Sequence, residues 1–159
     1  MSSKILIPVD GSEAALDAAR FAVRLAAGLG LEPVALWVVD VDHYASEFEA
    51  VRETVASELE TNAEKILGQV RRIGEESGVS IQALVRHGDS SREIIRFVQE
   101  TPEVALVVMG ASGRRRLGRQ MIGSTAERVV REAARDLPCP VIVVPCRASQ
   151  RQAAAGAVA

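Results

Sequence analysis

At 159 residues the chain has one domain's worth of polypeptide, long enough to bury a sizeable core without help from disulfides. Its 48% hydrophobic and 25% charged residues, with 12 Gly and 6 Pro, exclude disorder, collagen and a disulfide-stapled miniprotein, and a net charge of −2 is too mild for a nucleic-acid binder. Aromatics at 3% imply an aliphatic core and no stacking platform for bases. Uninterrupted apolar stretches such as Val104–Met109 fall far short of a membrane span. Met1-Ser2-Ser3-Lys4 runs straight into an apolar strand without a cleavable signal, so a cytoplasmic location is expected. Charge is divided unevenly: residues 1–80 carry 7 basic and 14 acidic side chains, residues 81–159 carry 12 and 7.

In chain order, Ile5-Leu6-Ile7-Pro8-Val9 is a short continuous apolar run ending at Asp10-Gly11-Ser12, the pattern of a strand buried on both faces that opens into a loop. Apolar residues then recur with helical spacing from Ala15 to Ala27, closed by Gly28 and Gly30. Val34–Val39 reads as a second strand, Asp40–Ser46 as a polar loop, and Phe48 to Ile73 as a long amphipathic helix stopping before Gly78. Strand three is predicted at Ser80–Arg86. Ser90-Ser91-Arg92-Glu93 has capping-box spacing and opens a helix ended by Pro102. Val104–Met109 is strand four. A second capping-box pattern, Ser124 to Glu127, opens a helix reaching about Asp136, and Val141–Val144 is strand five. Residues 1–146 form the expected domain and 147–159 a loose tail.

Repeated strand–helix alternation with buried strands predicts an α/β domain, a five-stranded parallel sheet flanked by helices on both faces. Right-handed crossovers bring every strand's C-terminal end to one edge, where ligands of such sheets sit. Asp10, Val39, His87 and Gly110 all fall at that edge.

Gly110-Ala-Ser-Gly113, nine residues, then Gly123-Ser124 is the most specific feature of the chain. For a phosphate chain each part has a physical task. Gly110 allows close backbone approach, Gly113 takes positive φ and turns N–H groups inward, Gly123 leads into an exposed helix N-terminus, and Ser124 offers a hydroxyl or a cap. Arg114, Arg115, Arg116 and Arg119 add cationic field. A connection of this length inside a compact domain favours binding over a plain turn. No G-x-x-x-x-G-K-S/T occurs and no lysine lies beyond Lys65, so a P-loop is excluded. The first strand lacks the dinucleotide fingerprint, and strand three ends in Arg86-His87-Gly88 rather than in a receiver's acid.

Pro8-Val9-Asp10-Gly11-Ser12 and Met109-Gly110-Ala111-Ser112-Gly113, with G-x2-G-x9-G-S/T matched by Gly110, Gly113, Gly123 and Ser124, resemble the universal stress protein family in its ATP-binding form. The resemblance runs from Lys4 to Val144 and implies strand order 3-2-1-4-5. It implies that Pro8, Val9 and Asp10 contact the adenine and ribose side, with Asp10 able to reach Mg²⁺ through water. It implies that the Val38 backbone reads the adenine edge, and that Gly110, Gly113, Gly123, Ser124 and Thr125 cradle the phosphates. Met109 and Gly88 would line the pocket, and Arg114 is carried as a phosphate contact although the arginine triplet is not a fixed family feature. The resemblance further implies an antiparallel homodimer through strand five (Val141, Ile142, Val143, Val144). Centred between Ile142 and Val143, that pairing would set Cys139 against Cys146 of the second subunit. Within one chain the two thiols, seven extended residues or ~23 Å apart, cannot bond.

Asp40, Asp42 and His43 read as a solvated loop rather than a metal site. No nucleophile–base pair is evident, so the expected role is an ATP-binding regulatory or stress-response protein, with Mg²⁺ on the phosphates. Slow ATP hydrolysis or self-phosphorylation, a nucleotide-free interaction module, and AMP or a cyclic nucleotide as ligand stay open as alternatives.

Overall fold

The computed structural model describes residues 2–44, 49–111 and 122–146. Its strands are β1 (Lys4–Val9), β2 (Glu32–Val39), β3 (Gln82–His87), β4 (Val104–Gly110) and β5 (Val141–Val144). Its helices are α1 (Glu13–Leu29), α2 (Val41–Tyr44), α3 (Glu49–Glu76), α4 (Ser90–Glu100) and α5 (Ser124–Ala133). The strands make one wholly parallel sheet in the order β3-β2-β1-β4-β5.

Side-chain alternation along the strands divides the core in two. Ile5, Ile7, Val9, Ala35, Trp37 and Val39 face α1 and α3, while Leu6, Val34, Leu36 and Val107 face α4 and α5. The central strands β1, β2 and β4 are buried on both faces, which is why they read as continuous apolar runs rather than alternating ones. Helix α1 buries Ala14, Ala15, Ala18, Ala19, Ala22 and Ala26, small side chains that let it lie close on β1 and β4. It closes at Gly30, whose φ of 65° is the left-handed conformation that the sequence placed there.

Three local expectations need correction. Asp40–Ser46 is not all loop, since residues 41–44 form the short helix α2. Helix α4 is capped not by Ser90 but by Asp89, whose side chain accepts from the Arg92 N–H, because Ser90 is drawn to Asp40 instead. At α5 the N-cap position is Gly123, and Ser124 is already the first helical residue, with no side-chain capping bond made.

The β1/β4 junction is where the winding reverses, because the chain leaves β1 toward β2 on one side and reaches β4 on the other. Asp10 follows β1 and Gly110 ends β4, so the two flank the crevice at that reversal.

Candidate functional site

A cleft of about 290 Å³ opens at the C-terminal edge of the sheet, at the small end of ligand pockets. Pro8 and Val9 enter it from β1 and Asp10 from just beyond, Val38 from β2, Met109 and Gly110 from β4, and Ser124 and Thr125 from the start of α5 with Gly123 at its N-cap. The cleft thus brings together nine of the twelve residues that the resemblance places at the ligand, and Gly88 is not among them. Gly113 and Arg114 lie outside the described residues.

Asp10 is held by the turn into α1. Gly11 adopts φ 80°, which bends the chain so that Asp10 Oδ1 accepts from the Ser12 N–H at 2.9 Å and from its hydroxyl at 2.6 Å. Ser12 in turn caps α1 by accepting from the Ala15 N–H at 3.1 Å. One carboxylate oxygen is thereby fixed.

Gly110 has a structural reason that the sequence did not disclose. A Cβ there would stand 2.7 Å from the Ala14 carbonyl carbon and 2.9 Å from the Ala15 nitrogen. Its close approach is to the first turn of α1. Beyond it, the Ala111 N–H donates to Val144 O (2.9 Å) and the Gly123 N–H to Ala111 O (2.7 Å), clamping together the start and end of the glycine-rich connection. This clamp aims the uncapped N-terminus of α5 at the cleft, where the N–H groups of its first turn have no intrahelical acceptor. Together with the Ser124 and Thr125 hydroxyls, they form a donor set suited to an oxyanion.

The opposite wall is polar and was missed from sequence. Asp40, only 8% exposed, accepts from the Ser90 N–H at 3.0 Å and its hydroxyl at 3.2 Å, tying the end of β2 to the first turn of α4. Asp89 Oδ1 accepts from the Ser91 hydroxyl (2.7 Å) and the Arg92 N–H (2.9 Å), and Oδ2 meets Arg128 Nη1 at 3.4 Å. Burial alone raises the pKa of Asp89. The Ser91 and Arg92 hydrogen bonds and the Arg128 and Arg92 charges outweigh it, holding the carboxyl below its ordinary value. Asp10, Asp40, Asp89 and Arg128 all line the cleft. An acid directly after β2 and another directly before Ser90 were the available signals, and the first was read as the start of a polar loop.

His87 and Gly88 do not line the cleft. His87 lies 3.1 Å from Glu60 on α3 with an exposed ring, and the Gly88 N–H is donated to Val39 O. Gly88 has φ 137°, and a Cβ on it would face the Glu93 side chain. Cys139 and Cys146 are buried and form no disulfide with each other, and burial pushes the Cys139 thiol up in pKa. The described residues hold no cluster of His, Cys, Asp and Glu fit for a metal and no helix long and apolar enough to cross a membrane.

The sequence model of the universal stress protein family matches residues 1–145. The chain belongs to that family. A universal stress protein of Methanocaldococcus jannaschii is 37% identical to it over 142 residues, spanning 89% of this chain and 81% of that protein. Among solved structures, the universal stress protein UspA from Lactobacillus plantarum is similar with a TM-score of 0.77 at 29% identity, covering 89% of this chain and 97% of that one. The universal stress protein from Archaeoglobus fulgidus in complex with dAMP has a TM-score of 0.66 at 19% identity, covering 89% and 97%, a likeness of fold. In this universal stress protein the cleft therefore occupies the switch point of a fold shared along nearly the whole chain.

Proposed function

We propose that this universal stress protein binds ATP in the cleft, with Mg²⁺ accompanying the phosphates, and acts as a regulatory homodimer in the cytoplasm. The carrying observation is the convergence of Pro8, Asp10, Val38, Gly110 and the uncapped α5 N-terminus on one cleft at the sheet's switch point. Apolar Val9, Leu36, Val38 and Met109 suit the base, and the Ser124 and Thr125 end suits phosphate. The Archaeoglobus fulgidus complex with dAMP is an instance of this fold holding an adenine nucleotide.

The charge of the lining supports Mg²⁺ in this reading. Asp10, Asp40 and Asp89 share the cleft, so a bare polyphosphate would meet like charge on entry. A divalent cation on the phosphates removes that repulsion, and Asp10 is the carboxylate suited to meet its water shell. The metal supplies charge neutralisation, while this chain's residues bind and orient. The second subunit is assigned to β5, whose outer edge has no strand beside it among the described residues.

Mass spectrometry of small molecules released by denaturing the purified protein, followed by isothermal titration with MgATP, tests the reading. Co-purified adenine nucleotide or saturable binding supports it. Protein that carries no nucleotide and gives no heat with MgATP would overturn it in favour of an interaction module.

A further inference from the structure

We propose that Arg128 is a phosphate-sensing cation of this cleft that exchanges between Asp89 and the ligand's phosphates, making the Asp89–Arg128 contact a latch between α4 and α5 that ligand releases. The inference rests on the nucleotide reading above. It adds a residue outside the glycine motif and a mechanism by which occupancy is communicated to the packing of two helices.

The contact is built to be exchanged. Arg128 Nη1 lies 3.4 Å from Asp89 Oδ2, well beyond the roughly 2.7–2.9 Å of a strong charge-assisted bond. The Arg128 side chain is 63% exposed, so solvent screens the pair and little free energy holds it shut. Asp89 does not depend on it, because its other oxygen is fixed by the Ser91 hydroxyl and the Arg92 N–H. The carboxylate therefore stays in place, as the N-cap of α4, when the arginine leaves.

The position of Arg128 supplies the other half. It stands one turn along α5 from Ser124 and three residues from Thr125, on the flank that lines the cleft. Side chains of a helix lean toward its N-terminus, so a guanidinium at this position reaches back over the first turn, where the phosphates would lie. Its planar fork matches two phosphate oxygens at once, whereas toward Asp89 it uses one nitrogen. A multiply charged phosphate beside an uncapped helix N-terminus then outcompetes one partly solvated carboxylate. Asp89 is in effect an internal competitor that lowers affinity, and its displacement loosens α4 from α5.

Isothermal titration of the full chain with MgATP and, separately, with adenosine tests this on the wild type, Arg128→Gln and Asp89→Asn. Asparagine retains the N-cap and the Oδ1 contacts while removing the charge. Arg128→Gln is expected to weaken MgATP about tenfold, as the loss of one charge-assisted bond implies, and to leave adenosine within about twofold. Asp89→Asn is expected to tighten MgATP about threefold, the reverse of a merely structural role. Equal losses for both ligands in Arg128→Gln, or no gain in Asp89→Asn, would overturn the latch while leaving the nucleotide reading intact. A wild type that binds neither ligand would sink both.

Discussion

Gly110 shows how one residue can carry a constraint that a ligand motif conceals. The three nearest atoms a Cβ would meet there belong to the α1 backbone, Ala14 C at 2.7 Å, Ala14 O at 2.8 Å and Ala15 N at 2.9 Å, so rotating a side chain away cannot relieve them. Gly110→Ala must push the first turn of α1 off β4, and a loss of about 1–3 kcal/mol is expected in urea unfolding, in the range of other overpacked cores. Stability within about 0.5 kcal/mol of wild type would show that the turn yields freely. Asp89 acts at the same scale through its charge. Burial raises its pKa, but the Ser91 hydroxyl, the Arg92 N–H and the neighbouring arginines bring it below the unfolded value. A carboxyl with a lowered folded pKa stabilises the fold fully above about pH 4 and loses that contribution as the pH falls through the folded value. Asp89→Asn should therefore be slightly less stable than wild type at neutral pH, with the difference closing in the acid limb. Solvent screening at this partly exposed site keeps the effect small. A stability gap that widened on acidification would contradict the assignment.

Among elements, the central strands were more legible in the sequence than the capping residues of helices, for a physical reason. A strand buried on both faces is written in its own residues, so Ile5–Val9 and Val104–Met109 were placed to within a residue or so of β1 and β4. A helix N-terminus is a competition among neighbours. Ser90 has capping-box spacing with Glu93, yet Asp40, 50 positions away in the chain, claims both its N–H and its hydroxyl, and Asp89 becomes the cap. No local pattern contains that contact, and the polar wall of the cleft was missed for the same reason. The strand order and the edge location of Asp10 and Gly110 could be expected from topology and resemblance, whereas the pairing of Asp89 with Arg128 depends on how α4 packs on α5. Strand β5 carries a prediction of its own. Pro140 O and Val144 O accept from Val107 N on β4 and from Ala111 N directly after it, so by strand alternation Val141 and Val143 turn their backbone groups to the open edge. Proline is tolerated at such an edge position but cannot donate to an added strand. Val143→Pro should remain folded and run as a monomer in size-exclusion chromatography with light scattering, where the proposed assembly has the wild type run as a dimer. A Val143→Pro protein that stayed dimeric would move the interface off β5.

At the scale of the whole molecule, the cleft takes its lining from both core layers. Ala15 and Leu59 come from the α1–α3 side, Ile94 and Ala126 from the α4–α5 side, and the ends of three strands lie between them. A ligand held there bridges elements that unfolding would separate, so its binding free energy is added to the stability of the entire sheet. Linkage sets the size: at a hundred times the dissociation constant, a ligand specific for the folded state contributes about 2.7 kcal/mol. For a chain of this length each kcal/mol raises the midpoint by about 2–4 °C, so saturating MgATP should raise Tm by roughly 5–10 °C. Removing the metal with EDTA at constant ATP should reduce that rise, because the unscreened phosphates then face Asp10, Asp40 and Asp89 directly. The comparison separates two causes of stabilisation: a polyanion acting only through the arginines of the second half of the chain would be as effective without Mg²⁺, and equal shifts with and without the metal would assign the effect to surface charge rather than to the cleft.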